Sequence, residues 1–191
     1  MKRMLWLALI ALALPMAAFA DSNVDFTNSG GTLTGSSAGM SLTGSVLINV
    51  NGLNGLVTGS NLGSLNFSTG ALLSGDLQTG AVFGPPEPTF GGSFVITGNG
   101  TGGIPNGVIF NGTFHGPVTW TLITLSNGTH NYTLTGSISG AWEGKGTVYG
   151  ATVQLTINTG KGFFNGSTSI SSGDTNIVVP EPGSLTLIGT G

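Results

Sequence analysis

Glycine is the feature of this chain that most restricts its fold, because 35 of the 191 residues are glycine. Glycine loses more backbone entropy on ordering than other residues, so it is unfavourable inside a helix and common in turns. Between the glycines lie short runs of Thr, Val, Leu, Ile and Phe, which favour strands. The pattern predicts an all-β domain, an antiparallel meander that forms a sandwich or a barrel.

Seven segments show the strand pattern most clearly. Each is a run rich in β-branched, apolar or aromatic residues that ends near Gly, Asn-Gly or Thr-Gly-Ser. They are residues 40–50, 64–68, 90–97, 108–114, 118–125, 132–138 and 147–157.

Segments 118–125 and 132–138 predict a hairpin whose register can be derived. Side chains alternate along a strand, so Val118, Trp120 and Leu122 share one face. A two-residue turn at Asn127-Gly128 would place the two apolar faces on opposite sides. A loop with an odd number of residues, centred on Gly128, aligns them and sets Trp120 opposite Gly136. The residues expected on the buried face are Val118, Trp120, Leu122, Leu134 and Ile138.

The N-terminus has the three parts of a secretory signal peptide. Lys2 and Arg3 supply the positive region, and residues 4–14 form an uncharged apolar run. A run of about eleven residues is too short to span a bilayer, which takes about 20. Ala18 and Ala20 match the small residues of a cleavage site, so we expect a signal helix that is removed before Asp21.

The C-terminal residues Pro180-Glu181-Pro182 lead directly into an apolar stretch. This arrangement resembles the sorting signal of bacterial PEP-CTERM proteins. The resemblance implies a tag made of the motif, a transmembrane helix and a basic cluster, which an exosortase-type membrane peptidase recognises. It therefore implies a membrane anchor during export and a final location at the cell envelope or surface, or outside the cell.

The sorting signal as given is short. Residues 185–191 are about a third of a membrane span, and no Arg/Lys cluster follows them. We therefore expect the sequence to be truncated inside the tag. A second copy, Pro86-Glu87-Pro88, leads into Thr89-Phe90-Gly91-Gly92 and is interpreted as a rigid surface loop.

These features predict three regions. Residues 1–20 are the signal peptide, 21–177 are an exported β domain, and 178–191 begin the sorting signal. Within the β domain, Gly84-Pro85-Pro86-Glu87-Pro88 predicts a weak internal boundary. Residues 171–174, rich in Ser, Gly and Asp, are interpreted as a linker.

Charge and cysteine content exclude several functions. Removal of the signal leaves Lys145 and Lys161 against seven acidic residues, so the mature net charge is 2 − 7 = −5. Nucleic-acid binding needs a basic surface to neutralise phosphates, which this composition does not supply. Because the chain has no cysteine, disulfides and thiolate metal sites are excluded as well.

The histidines give no metal or catalytic site. His115 and His130 are the only two, and the predicted hairpin separates them by more than about 30 Å at the rise of a strand. We expect two partly exposed loop histidines, with no metal and no cofactor.

Two glycine motifs match known signatures without the context that those signatures need. Gly35-Ser36-Ser37-Ala38-Gly39 matches G-x-S-x-G, but a strand follows it where a nucleophile elbow needs a helix. Residues 98–103 match G-x-G-x-x-G and run into a turn, so no helix is available for a pyrophosphate. The first match is attributed to chance in a chain rich in Gly and Ser, the second is interpreted as a loop, and no catalytic residue is assigned.

The remaining polar candidates also favour structural roles. The acidic residues are scattered, and only the fold could join a glycosidase pair such as Asp76 with Glu143. Residues 142–145 predict a charged hairpin loop with Trp142 in the core. Six N-x-S/T sequons are interpreted mostly as turn residues: Asn66, Asn99, Asn111, Asn127, Asn131 and Asn165.

Two functional hypotheses remain. The first is a non-catalytic exported protein of the surface or extracellular matrix, sorted by an exosortase-type system; the resemblance implies a link to exopolysaccharide or biofilm. Its partners would be signal peptidase, exosortase and exopolysaccharide. The alternative is an extracellular glycan-binding or glycan-hydrolysing β module. Because few charges are available to protect strand edges, we also expect the sheet either to close or to pair with other copies of the chain.

Overall fold

The computed structural model describes residues 22–84 and 90–179. These residues form an all-β fold in which the only described helical element is a 3-10 turn at Thr101–Gly103. The strands are β1 (Ser22–Ser29), β2 (Thr32–Ser36), β3 (Gly39–Asn51), β4 (Leu56–Thr58), β5 (Gly63–Ser68), β6 (Leu72–Asp76), β7 (Gly80–Phe83), β8 (Phe90–Asn99), β9 (Asn106–His115), β10 (Val118–Thr124), β11 (His130–Trp142), β12 (Gly146–Asn158), β13 (Ser167–Ser169) and β14 (Ser172–Val179).

Eight of these strands close into an antiparallel barrel. The hydrogen-bonded order is β12–β14–β1–β3–β5–β8–β9–β11, and β11 pairs with β12 to complete the ring. The first and last described strands, β1 and β14, are neighbours over seven residue pairs. The predicted all-β class is thus confirmed, and the fold is a barrel rather than a sandwich. In the closed ring, strand edges pair with one another. This agrees with the first of the two expected outcomes, in which the sheet closes and does not pair with other copies of the chain.

Shorter strands extend the barrel at one end. β10, β7 and β6 continue the sheet from the first half of β11, while β2 and β13 continue it from β3. The long strands β3, β11 and β12, of 13 residues each, belong to both parts. The strands before and after residues 85–89, which lie outside the described residues, belong to this same sheet.

The barrel interior is filled by side chains from alternate strand positions. In β1, Val24 and Phe26 are fully buried, whereas Asp25 and Thr27, which alternate with them, are only partly buried. In the barrel interior, Phe94 and Phe114 meet edge to face with ring centroids 5.8 Å apart. An eight-stranded barrel has an interior about wide enough for its own side chains, which explains this packed core.

Two loops cover the extended end of the barrel. The loop between β12 and β13 inserts Phe164, which is 1% exposed, beside Trp120 at a centroid distance of 5.3 Å. The turn between β6 and β7 is held by the Trp120 indole, whose Nε1 donates to the carbonyl of Leu77 at 2.9 Å. These contacts join three distant segments around one aromatic group.

The hairpin of β10 and β11 confirms the predicted buried face and corrects the predicted register. Trp120 and Leu134 are both buried, but they lie opposite each other; Trp120 does not face Gly136. The loop is centred on Asn127, because the amide of Leu125 donates a hydrogen bond to the carbonyl of Thr129. Gly128 supplies the positive φ of 79° that the turn needs. The register is therefore two residues from the predicted one. Such a shift preserves which face is buried.

A different aromatic residue covers the glycine in this hairpin. A Cβ on Gly136 would lie 2.9 Å from the ring of Phe114, which comes from β9. The prediction that an indole covers Gly136 was wrong because the nearer ring belongs to another strand.

Several strands carry too little apolar sequence for the strand pattern to be recognised. β14 begins at Ser172, so most of the predicted linker at 171–174 is strand. The same strand ends at Val179, so it crosses the predicted boundary between residues 177 and 178. Its pairing with β1 and β12 stabilises a strand whose first residues, Ser172–Asp174, have low β-propensity.

Candidate functional site

The two histidines are strand residues, which corrects the prediction that they lie in loops. His130 begins β11 and is 8% exposed, with its ring stacked on Phe163 at 4.2 Å and Nδ1 3.2 Å from the carbonyl oxygen of Gly162. His115 ends β9 next to Phe114, which lies opposite Ile138. The two histidines are therefore separated by roughly 25 Å along β11. Among the described residues, no three His, Asp or Glu side chains lie close enough together to hold a metal ion.

The first glycine motif surrounds a hairpin turn, and the second runs from the end of β8 into a loop, as predicted for the second. Ser36 and Gly39 flank a two-residue hairpin turn between β2 and β3, and the Ser36 hydroxyl accepts a hydrogen bond from the amide of Ala38 at 3.1 Å. Residues 98–103 end β8 and enter the short 3-10 turn, where Asn99 accepts from the amide of Thr101. The Ser36 hydroxyl thus serves the turn itself.

The suggested carboxylate pair Asp76 and Glu143 is not brought together. Asp76 ends β6 and accepts a hydrogen bond from the amide of Gln78, whose carbonyl accepts one from Tyr132 near the start of β11. Glu143 directly follows the end of β11. The hydroxyl of Thr79, followed by the amides of Thr79 and Gln78, lowers the pKa of Asp76, which marks a residue that stabilises its own turn.

Residues 142–145 form the predicted hairpin loop. Trp142 is 4% exposed and packs on Phe26 at a centroid distance of 5.9 Å, and Lys145 donates its amide to the Trp142 carbonyl.

The prediction for the sequons was only partly correct. Asn127 accepts from the amide of Thr129 in a turn, and Asn99 and Asn165 lie at a strand end and in a loop. In contrast, three asparagines lie within strands: Asn66, Asn111 and Asn131.

Polar side chains form two straight rows across four neighbouring strands on the outside of the barrel. We call this set the polar grid. In each row, consecutive residues are direct partners across adjacent strands. The first row is Thr152, Asn176, Asp25 and Asn51, and the second row is Gln154, Asp174, Thr27 and Asn49.

Strand alternation explains why the polar grid faces outward. The residues between the two rows are Val153, Thr175, Phe26 and Val50, and all four are buried in the barrel. Every grid residue is a carboxylate, an amide or a hydroxyl. The grid borders a concave region of about 410 Å³, which Asn23 also lines.

Asp25 and Asp174 are the charged members of the grid, and they are diagonal neighbours. Asp25 lies opposite Asn176, two residues along β14 from Asp174, which places the two strand positions roughly 7–8 Å apart. Partial burial, and then the charge of Asp174, raise the pKa of Asp25. Asp174 accepts a hydrogen bond from the hydroxyl of Thr27 at 3.0 Å.

No cation compensates this pair from within its own strands. β1, β3, β12 and β14 contain neither lysine nor arginine. The described lysines, Lys145 and Lys161, lie in the β11–β12 turn and in the β12–β13 loop. The grid is therefore a locally negative surface in which amides and hydroxyls surround two carboxylates.

Two further residues distinguish this surface. Asn49 in the second row has a buried side-chain oxygen without a hydrogen-bond partner. Tyr149, three residues before Thr152 on β12, is 73% exposed. Gly150, with a φ of 72°, forms a bulge between them, so both side chains point outward. Tyr149 thus lies roughly 7–10 Å from the first row.

Local sequence does not reveal this site, because Asp25 and Asp174 are distant in the chain. In residues 23–28 and 174–177, outward polar positions alternate with buried positions. This alternation is the signal that could have revealed two strands with a polar outer face. Which strands become neighbours depends on barrel closure, which no local pattern specifies.

The residues assigned to export lie outside the described residues. They are Ala18, Ala20 and Asp21 at the expected cleavage site, and Pro180, Glu181 and Pro182 in the expected sorting motif. Within residues 22–84 and 90–179, no helix is long and apolar enough to cross a membrane.

Comparisons with known proteins identify no relative. No protein-family model, no curated protein and no solved structure matches the chain. The class that the fold defines is a closed, eight-stranded antiparallel barrel with a filled interior and a polar outer face.

Proposed function

We propose that this chain is a non-catalytic exported protein of the cell surface or extracellular matrix. Signal peptidase would act at Ala20 and Asp21, and an exosortase-type peptidase would recognise Pro180-Glu181-Pro182. The exported barrel would then meet exopolysaccharide in the matrix or biofilm.

The observation that carries the proposal is the polar grid on the outside of the barrel. Because Phe94, Phe114 and other side chains fill the interior, a partner has to meet the outer surface. That surface presents amides and hydroxyls, which exchange hydrogen bonds with hydrated polyhydroxyl chains as readily as with water. A hydrated polysaccharide matrix of this kind suits a chain with few charged residues.

Localisation tests this proposal in the native host with the full-length gene. The wild-type protein should appear in the surface and matrix fractions and be accessible to external protease. Replacement of Pro180-Glu181-Pro182 by three alanines should retain the protein in the membrane fraction. The second copy, Pro86-Glu87-Pro88, provides the matched control, because its replacement should leave the distribution unchanged. Cytoplasmic recovery of the wild-type protein would refute the proposal.

Asp25 and Asp174 support a second candidate, a glycan-binding or glycan-hydrolysing module. Glycosidases use two carboxyl groups separated by about 5–9.5 Å, one of which is protonated. Asp25 and Asp174 occupy strand positions roughly 7–8 Å apart, and partial burial followed by the charge of Asp174 raises the pKa of Asp25, which is the direction that such a pair needs. Incubation with a panel of polysaccharides would decide between hydrolysis and binding. Released reducing ends that disappear in both Asp25→Asn and Asp174→Asn would favour hydrolysis; binding without release would favour the non-catalytic role.

A further inference from the structure

The polar grid has the spacing of a surface that recognises an extended chain. Neighbouring strands are about 4.8 Å apart, and outward residues on one strand are about 6.6 Å apart. The side-chain amides of the grid each offer a carbonyl oxygen that accepts and an NH2 that donates, as in Asn51, Asn176 and Gln154. The grid therefore both donates and accepts hydrogen bonds at regular intervals. A polyhydroxyl chain that lies across the strands can hydrogen-bond to several of these groups at once.

Charge selects the kind of chain. Asp25 and Asp174 repel each other, and β1, β3, β12 and β14 supply no cation. An acidic polysaccharide would add to this repulsion. A ligand with an ammonium group would relieve it and would form charge-assisted hydrogen bonds with the carboxylates.

Tyr149 supplies an independent indication of a sugar ligand. Its ring is 73% exposed on the same outer face of β12 as Thr152 and Gln154. A tyrosine side chain combines a large apolar ring face with a polar hydroxyl. The ring face suits the apolar C–H surfaces of a sugar. A simple polyamine would engage the carboxylates but would have no ring to place on Tyr149.

We propose that the polar grid binds a glycan chain of amino sugars with free amino groups. An ammonium group lies between Asp25 and Asp174, sugar hydroxyls bond to the amides of the two rows, and one ring packs on Tyr149. This inference rests on the proposed meeting of the barrel with polysaccharide, and it adds the chemical class of the ligand.

The test is calorimetric titration of the full chain with glucosamine oligomers. Fully N-acetylated oligomers, glucose oligomers of the same length and spermidine serve as comparison ligands. We expect the glucosamine oligomer to bind at least about tenfold more tightly than the N-acetylated and glucose oligomers, since one charge-assisted hydrogen bond contributes that much. It should also bind more tightly than spermidine, which has no sugar ring to pack on Tyr149 and no hydroxyls for the amides of the grid. Affinity should also fall as salt is added.

Variants locate the site. Asp25→Asn and Asp174→Asn should each weaken glucosamine binding about tenfold or more. Glu143→Gln removes the same charge from the β11–β12 turn and should leave binding unchanged. Tyr149→Ala should weaken binding, whereas Tyr149→Phe, which keeps the ring, should retain it.

The possible failures are distinguishable from failure of the proposed function. Equal binding of acetylated and free amino oligomers, or equal binding of spermidine, would overturn the amino-sugar assignment. A loss in Glu143→Gln as large as that in Asp25→Asn would overturn the site. Neither result would alter localisation, which tests the proposed function separately.

Discussion

The rings of Trp120 and Tyr132 stack on neighbouring strands, with centroids 4.8 Å apart and planes 13° from parallel. Both residues also hold loops through their polar atoms. The Tyr132 hydroxyl donates to the carbonyl of Gln78 at 2.7 Å and accepts from the amide of Phe164 at 3.1 Å. This pair therefore joins the β6–β7 turn and the β12–β13 loop over one end of the barrel.

The first prediction concerns the Tyr132 hydroxyl. Tyr132→Phe should reduce the free energy of unfolding by about 1–3 kcal/mol, because the Gln78 carbonyl and the Phe164 amide lose their partner. Chemical denaturation measures this difference. Tyr149→Phe makes the same change on an exposed ring and should shift stability by less than about 0.5 kcal/mol. Equal effects of the two changes would contradict the assigned role.

The second prediction concerns the buried face of the β10–β11 hairpin. Trp120→Ala should cost about 3–5 kcal/mol, because it opens a cavity and removes the indole bond to Leu77. Ile123→Ala, on the outward face of the same strand at 49% exposure, should cost far less. Denaturation midpoints that rank the two variants in the reverse order would show that the buried face is the other one.

The third prediction concerns the pH dependence of Asp25. Its pKa is raised in the folded state from the ordinary value of 3.8, so ionisation opposes folding. The destabilisation is absent well below pH 3.8, where Asp25 is protonated in both the folded and the unfolded state. It is complete above the folded-state pKa, where Asp25 is ionised in both states. Asp25→Asn should therefore raise the melting temperature at pH 7 but have little effect at pH 3.

A matched variant controls for general charge effects. Glu143→Gln also removes one acidic charge but lies in the exposed β11–β12 turn. It should not reproduce the pH-dependent gain, and a similar gain would show that net charge, rather than the partial burial of Asp25 and the nearby charge of Asp174, is responsible.

The fourth prediction concerns a polar atom inside the barrel. Thr175 is fully buried, and its hydroxyl has no hydrogen-bond partner. Thr175→Val keeps the shape and removes the buried hydroxyl, so stability should rise by about 1 kcal/mol. Thr121→Val on the exposed face of β10 should be nearly neutral. A clear loss of stability in Thr175→Val would show that this hydroxyl does have a partner in solution.

Local sequence determined the fold class and many of the strands. Predicted segments such as 40–50 and 147–157 match β3 and β12 to within one residue at each end. Glycine limits helix formation and supplies turn conformations such as that of Gly128, while β-branched residues favour strands, and both effects act over a few neighbouring residues. The buried face of the β10–β11 hairpin also followed from alternation alone.

Tertiary structure decided the closure of the barrel, the register of the hairpin and the location of the polar grid. Trp120 lies opposite Leu134, and Phe114 from β9 occupies the space over Gly136 where the predicted register placed Trp120. Asp25 and Asp174 become neighbours only when β14 returns to β1, 149 residues later in the chain. Residue periodicity specifies which side of a strand faces the core, but long-range packing selects which strands lie side by side, and the candidate site depends on that selection.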